Sequence, residues 1–478
     1  MPLLQVPGMI SLGGGLPNPE TFPFKSLTVQ LKDGSEYAIS GKGLDAALQY
    51  SPTNGLPSFL AHLETLRLHY HTLPGGEGGA LGDHGVPRSS MVSTGSQDAL
   101  SKAFEMLLAP GDSLLLESPT YSGSLAFLRP LGVYLAGVET DGGGMDPLRL
   151  EEMLESWKDN QAPGEPPFPR VLYTIPNGSN PTGGSLSEER RRRIYALCAR
   201  YDILILEDDP YYFLQFGDGG ASRSSCSSSS SGDGLAPSFM AMDMDGRVLR
   251  FDSMSKVLAA GLRLGWATGP APLIDRLQLH MQSTSLHASG LAQSVVAGLF
   301  DSWAAATDSS GGGEGMIEAW EEHVAGITSL YRRRRDFFLG CCERHLGADN
   351  AANGGEALAE WTAPAAGMFC WLKLKGIPND DSLGLVKVKA VDAKVLFVPG
   401  VEFMPSNHRK PVGQSPVCPF VRASFSTATE ADMEEAVRRL AAVVREARAE
   451  AEAADAAAAC CVSSREEAER RERGGFDV

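Results

Sequence analysis

Short apolar runs without polar alternation recur between Met91 and about Leu264. Leu114-Leu115-Leu116, Val171-Leu172-Tyr173, Ile203-Leu204-Ile205-Leu206 and Val248-Leu249 have no polar face, the pattern of strands covered on both sides. Stretches of helical period separate them. After Thr94-Gly95-Ser96-Gln97, the residues Leu100, Phe104, Leu107 and Leu108 share one helical face, and Pro110-Gly111 ends the pattern. Ile194, Leu197, Cys198 and Tyr201 share another face, with Ser185 and Glu188 placed as a capping box. Strand alternating with helix predicts an α/β fold whose large domain carries a mostly parallel sheet.

Downstream, the pattern predicts strands at Met368 to Leu374 and Val395 to Val398, and an amphipathic helix over Glu430 to Ala447. These form a smaller α+β domain over residues 340–447, beside a large domain over 46–339. A serine-rich insertion spans 217–236 and includes Ser227 to Ser231; Gly75 to Gly85 and Asp308 to Gly315 have similar composition. Residues 1–45 form an N-terminal segment, and 448–478 a charged, alanine-rich tail expected to be a solvated helix or unstructured.

The chain has 478 residues and a formal charge of −17. A phosphate-backbone partner would meet a repelling long-range field, so nucleic acid is not expected. Its eight cysteines form no C-x-x-C pair, and no acid or thiol near His62, His69 and His71 completes a ligand set, so no metal site is expected. No apolar run approaches the ~20 residues of a membrane helix. With neither a secretory nor an arginine-rich transit pattern at the N-terminus, cytosolic residence is the expectation.

Open parallel sheets bind ligands beyond the carboxyl ends of their strands, and here each end is polar. Pro176-Asn177-Gly178-Ser179-Asn180-Pro181-Thr182-Gly183 follows one run, Glu207-Asp208-Asp209-Pro210-Tyr211-Tyr212 the next, and Asp252-Ser253-Met254-Ser255-Lys256 the third. A carbonyl-bearing pyridine phosphate would use such groups. A lysine amine condenses with an aldehyde, and a carboxylate facing a pyridine nitrogen keeps it protonated, making the ring an electron sink. Phosphate suits the helix start at Ser96 and Gln97, the hydroxyls of Ser253 and Ser255, and Arg263. An amino-acid carboxylate suits Arg422 in Val421-Arg422-Ala423-Ser424-Phe425.

Ser253-Met254-Ser255-Lys256 followed by Gly261-Leu262-Arg263-Leu264-Gly265 resembles the lysine signature of the class I/II aminotransferases, pyridoxal 5'-phosphate (PLP) enzymes of fold type I. Asn180-Pro181-Thr182-Gly183 and Asp209-Pro210-Tyr211-Tyr212 match two further signatures. Ser11 to Pro19, Leu48 to Pro52, Pro119 to Gly123 and Pro364 to Phe369 are similar to the kynurenine/α-aminoadipate aminotransferases and the fungal aromatic aminotransferases.

The resemblance implies roles by position. Lys256 would be the Schiff-base lysine and the proton shuttle. Asp209 would pair with the pyridine nitrogen, Asn180 and Tyr212 would reach the phenolic oxygen, and Tyr121 would stack on the ring. Ser96, Gln97, Ser253, Ser255 and Arg263 would take the phosphate. Arg422 and Asn180 would take the substrate carboxylate, with Gly15 near the substrate and Tyr50 reaching the partner's cofactor in a homodimer. Tyr211 is expected to pack, and Arg190 to Arg193 to form a solvated helix face. Residues 1–45 would act as a substrate lid and part of the small domain. Family members carry an arm before the Gly13 stretch that supplies an arginine; Met1 lies about a dozen residues before Gly13, so the resemblance implies that the arm is missing or that the true start lies upstream. The expected reaction transfers an amino group from an aromatic amino acid, kynurenine or 2-aminoadipate to 2-oxoglutarate. Another fold type I PLP enzyme, of β-lyase or cyclopropane-carboxylate synthase type, and a non-enzymatic aminotransferase-like regulator are the alternatives.

Overall fold

The computed structural model describes residues 10, 13, 15–72, 87–159, 164–217, 235–306, 312–405 and 418–473, with side chains in the last helix as far as residue 453. Most of the 217–236 insertion, all of Gly75 to Gly85 and residues 308–311 lie outside the described residues.

An antiparallel hairpin, β1 (Ser26–Gln30) with β2 (Glu36–Ser40), comes first. It lies on the helix Gly290–Ala306, where the Tyr37 hydroxyl donates to the Val295 carbonyl at 2.6 Å. The central sheet has eight strands: β3 (Arg88–Ser93), β4 (Ser113–Ser118), β5 (Tyr134–Asp141), β6 (Gly144–Met145), β7 (Val171–Thr174), β8 (Leu204–Asp208), β9 (Val248–Ser253) and β10 (Gly265–Pro270). Their spatial order is β3-β10-β9-β8-β7-β4-β5-β6. The run β9-β8-β7-β4-β5 is parallel, as the uninterrupted apolar stretches predict. β10 is antiparallel to both its neighbours, which apolar content alone does not reveal. Alternate residues feed two cores: Leu116, Tyr173, Leu206 and Phe251 pack on one face, Leu115, Leu172, Ile205 and Val248 on the other.

A smaller antiparallel sheet contains β11 (Ala359–Trp361), β12 (Phe369–Leu374), β13 (Val398–Pro399) and β14 (Phe420–Ser424), in the order β11-β12-β14-β13. Cys370, Leu372 and Leu374 face the core shared with Leu440 and Val444 of the last helix. The strand expected over Val395 to Val398 is shorter: Val395 and Phe397 are buried in the core, and only Val398–Pro399 pairs with β14. The last helix runs from Glu430 to Arg473, so the alanine-rich tail continues it. The helix Gly312–Leu346 crosses residue 340 unbroken and takes in Gly312 to Gly315. Among the described residues, no helix is long and apolar enough to cross a membrane.

Two local expectations are corrected. Ser187, not Ser185, caps the helix Glu188–Arg200, accepting from the Arg190 N–H at 3.2 Å, while the Ser185 hydroxyl accepts from the Gly178 N–H. Arg191 is fully buried on the face that also carries Ile194 and Cys198, so the arginine run is not wholly a solvated face. Arg190, Arg192 and Arg193 pair with Asp141, Glu188 and Glu151 at the surface.

Candidate active site

Strand register gathers the expected residues at one sheet edge. Gly265 of β10 is opposite Ser93 on one side and Ser253 on the other, bringing the Ser253 to Lys256 turn beside the Thr94-Gly95-Ser96 turn. Ser96 and Gln97 open the helix Ser96–Leu107, whose free N–H groups favour an anion. Gly95 has a φ of 80°, and a Cβ there would overlap the Arg263 guanidinium. A Cβ on Gly265 would overlap the Ser96 amide. Gly265 therefore permits a close backbone approach that a side chain would block, while at Gly95 the positive φ disfavours a side chain and a Cβ would push the Arg263 guanidinium aside. Arg263 Nη1 donates to the Ser255 hydroxyl at 3.3 Å, and the Ser253 hydroxyl accepts from the Ser255 N–H at 3.1 Å. Helix start, hydroxyls and guanidinium form one cradle.

Lys256 follows this turn and is half-buried. Burial, then the guanidiniums of Arg263 and Arg422, lower its pKa from the ordinary lysine value. Tyr121 has the same two arginines as neighbours; burial raises its hydroxyl pKa, and Asp208 adds to the rise. Arg422, on β14, donates to the Asn180 side-chain oxygen at 2.8 Å. Its guanidinium carbon lies 4.3 Å from the Phe369 ring centre and 4.9 Å from that of Phe403. Its buried Nε has no hydrogen-bond partner.

Asp209 lies just beyond β8 and is fully enclosed. Its Oδ2 accepts from Asn177 Nδ2 at 2.8 Å and Arg250 Nη1 at 3.1 Å, while Oδ1 has no partner. Burial raises its pKa, and Arg250 opposes the rise. Tyr212 is buried with its hydroxyl donating to the Tyr70 carbonyl at 3.3 Å, and the Arg250 guanidinium carbon is 4.8 Å from its ring centre. Tyr211 packs in the core. Gly15 is exposed, and Tyr50 is 57% exposed with its ring edge-on to His287.

Sequence reasoning assigned no role at the site to Arg250, Arg191, Asn177, Glu117 and Asp208, all buried at this edge. The signal for Arg250 was present: Arg250 and Asp252, two apart on a strand, share a face and pair there.

A family model described as aminotransferase class I and II matches residues 45–440. The chain belongs to this family. The aminotransferase is 39% identical over 444 residues to the mitochondrial kynurenine/alpha-aminoadipate aminotransferase of Bos taurus, covering 92% of each chain. The aromatic aminotransferase Aro9 of Candida albicans superposes with a TM-score of 0.76 at 28% identity, covering 92% of each chain. LysN, the alpha-aminoadipate aminotransferase of Thermus thermophilus complexed with N-(5'-phosphopyridoxyl)-L-leucine, gives 0.65 at 26% identity, covering 85% of this chain and 86% of that one. The family implies PLP as cofactor.

The residues present fit that group. Asp209 Oδ1 is a buried acceptor without a donor, suited to a protonated ring nitrogen. Around it, the carboxylates of Glu207, Asp208, Asp209 and Asp252 outnumber the guanidiniums of Arg250 and Arg191, so a further positive charge would be favoured there. The Ser96, Ser255 and Arg263 cradle suits a phosphate.

Proposed function

We propose that this aminotransferase moves the amino group of kynurenine, 2-aminoadipate or an aromatic amino acid to 2-oxoglutarate. The names of the bovine and Candida relatives support the donor classes. The observation that carries the site assignment is the orphaned Asp209 Oδ1 beside an anion cradle and a lysine of lowered pKa.

Asp209 would hold the ring nitrogen, Tyr121, Asn180 and Tyr212 would position the ring, and Ser96, Gln97, Ser253, Ser255 and Arg263 would hold the phosphate. When bound, PLP supplies an electron sink for the charge left at Cα as its proton departs. Lys256 Nζ is the anchoring amine and the base that takes the Cα proton; its lowered pKa favours the neutral form that this work requires. Arg422 and Asn180, joined at 2.8 Å, would bind and orient the substrate carboxylate. Tyr50 packs on His287, and the neighbouring Leu286 and Leu291 are exposed, which supports a homodimer in which a second copy covers this apolar surface. Gly15 would border the substrate.

The test is an amino-transfer assay on the PLP-loaded protein beside Lys256→Ala. Glutamate should form from 2-oxoglutarate with at least one of these donors, and the variant should lose the transfer by several orders of magnitude. Absence of transfer from every donor would refute the substrate assignment; pyruvate release from a cysteine S-conjugate, with its thiol expelled and no 2-oxo acid acceptor present, would favour a β-lyase instead.

A further inference from the structure

Arg250 is fully buried in the middle of β9, among apolar neighbours, and one guanidinium meets three carboxylates. Its Nε and Nη2 form a fork on Asp252, at 3.0 Å and 2.7 Å from Oδ1. Nη1 lies 3.1 Å from both Glu207 Oε1 and Asp209 Oδ2. The same group lies over the Tyr212 ring. Strand register sets this up, since Glu207 is directly opposite Arg250. Asn177 completes the hold on Asp209 and is itself held by Arg191 Nη2 at 2.6 Å. With Oδ2 doubly occupied, Oδ1 is the oxygen left for a ligand.

We propose that Arg250 is a positioning residue that keeps Asp209 ionised and turned with Oδ1 toward the cofactor's ring nitrogen. This rests on the assignment of Asp209 above and extends it to a residue that touches neither cofactor nor substrate. Three enclosed carboxylates without this cation would retain a proton, and a protonated Asp209 would be a poor partner for a pyridinium. The groups facing Asp209 are Glu207 and Asp208 on β8, Arg250 and Asp252 on β9, Arg191 on the helix Glu188–Arg200, Asn177 and Tyr212. His71 faces Arg250 and Tyr212 from behind, with its ring nitrogen bonded to the Ser238 hydroxyl.

The test compares equilibrium binding of PLP with that of its carbocyclic analogue, in which C–H replaces the ring nitrogen. The wild type should prefer PLP by about tenfold or more, the scale of a charge-assisted hydrogen bond. Arg250→Gln should reduce that preference about tenfold, and Arg250→Lys, which keeps the charge but cannot form the fork, at least about threefold. A preference within about twofold of wild type in the folded variants would overturn the proposal, because a purely structural role would weaken both ligands alike. If neither variant folds, the wild type decides: its preference should persist from about pH 8 to about pH 6.5, and its disappearance in that range would overturn the proposal. No preference in the wild type at any pH would instead remove the assignment of Asp209, and the proposal with it.

Discussion

Arg422 is gripped by Asn180 and by two aromatic rings, yet its Nε remains free. Rigid placement with an unspent donor is what recognition of a planar carboxylate requires. Lysine would preserve charge but lose the planar stacking and the second donor. Arg422→Lys is therefore expected to raise KM for both amino donor and oxo acid by about tenfold or more, with a smaller change in kcat, as steady-state kinetics would read. Lys256, Asp209, Asn180 and Arg422 are the residues the sequence proposes for the site, because each follows or lies within a short apolar run. Glu117 is not among them, and for Arg250 only the pairing with Asp252 was readable, since a charged residue inside such a run acquires the rest of its meaning from neighbouring strands. Glu117 accepts from Thr174 Oγ1 at 2.8 Å and from the Ile175 N–H and Ser179 hydroxyl at 3.3 Å, contacts between segments far apart in sequence.

At the scale of elements, the cradle depends on a helix start pressed against a strand end. The φ of Gly95 strains any side chain there, and a Cβ would displace the Arg263 guanidinium. Gly95→Ala should weaken PLP binding about tenfold or more, measured by dialysis, while costing roughly 1–3 kcal/mol of stability from the strained backbone. The apolar runs predicted the parallel strands because such strands need apolar residues on both faces. The same runs did not disclose that β10 returns antiparallel between β3 and β9, since pairing direction depends on connections and not on composition. The helix cap moved from Ser185 to Ser187 because the Gly178 turn engages Ser185.

At the scale of the whole molecule, enclosure of acids makes stability depend on pH. Burial pushes Glu117 up to about 7, against hydrogen bonds that lower it, and pushes Asp208 up to about 7, against the Tyr173 hydroxyl. Both folded values exceed the unfolded ones, so the native state binds more protons between about pH 4 and pH 7. Their contribution to stability is fully present below the unfolded values and is lost as pH rises through about 7. Urea unfolding of the cofactor-free protein should show this fall as pH rises from about 4 to about 7, levelling off above, with a slope of at most about 1.4 kcal/mol per pH unit for each group. Glu117→Gln should flatten the slope whatever its effect on absolute stability; an unchanged slope would assign the titration elsewhere.

The sequence by itself determined the apolar runs that form β4, β7, β8 and β9 and the polar residues that follow the last three, because burial on two faces and the polarity of strand ends are local properties. It also carried the family's signatures and, through them, the chemistry. Only the tertiary structure decided which buried groups share a charge. Arg191, Asn177, Glu207, Asp209, Arg250 and Asp252 come from the helix Glu188–Arg200, the loop after β7, the end of β8, and β9, and the protonation of each acid depends on the others at hydrogen-bond distance inside a water-excluding core.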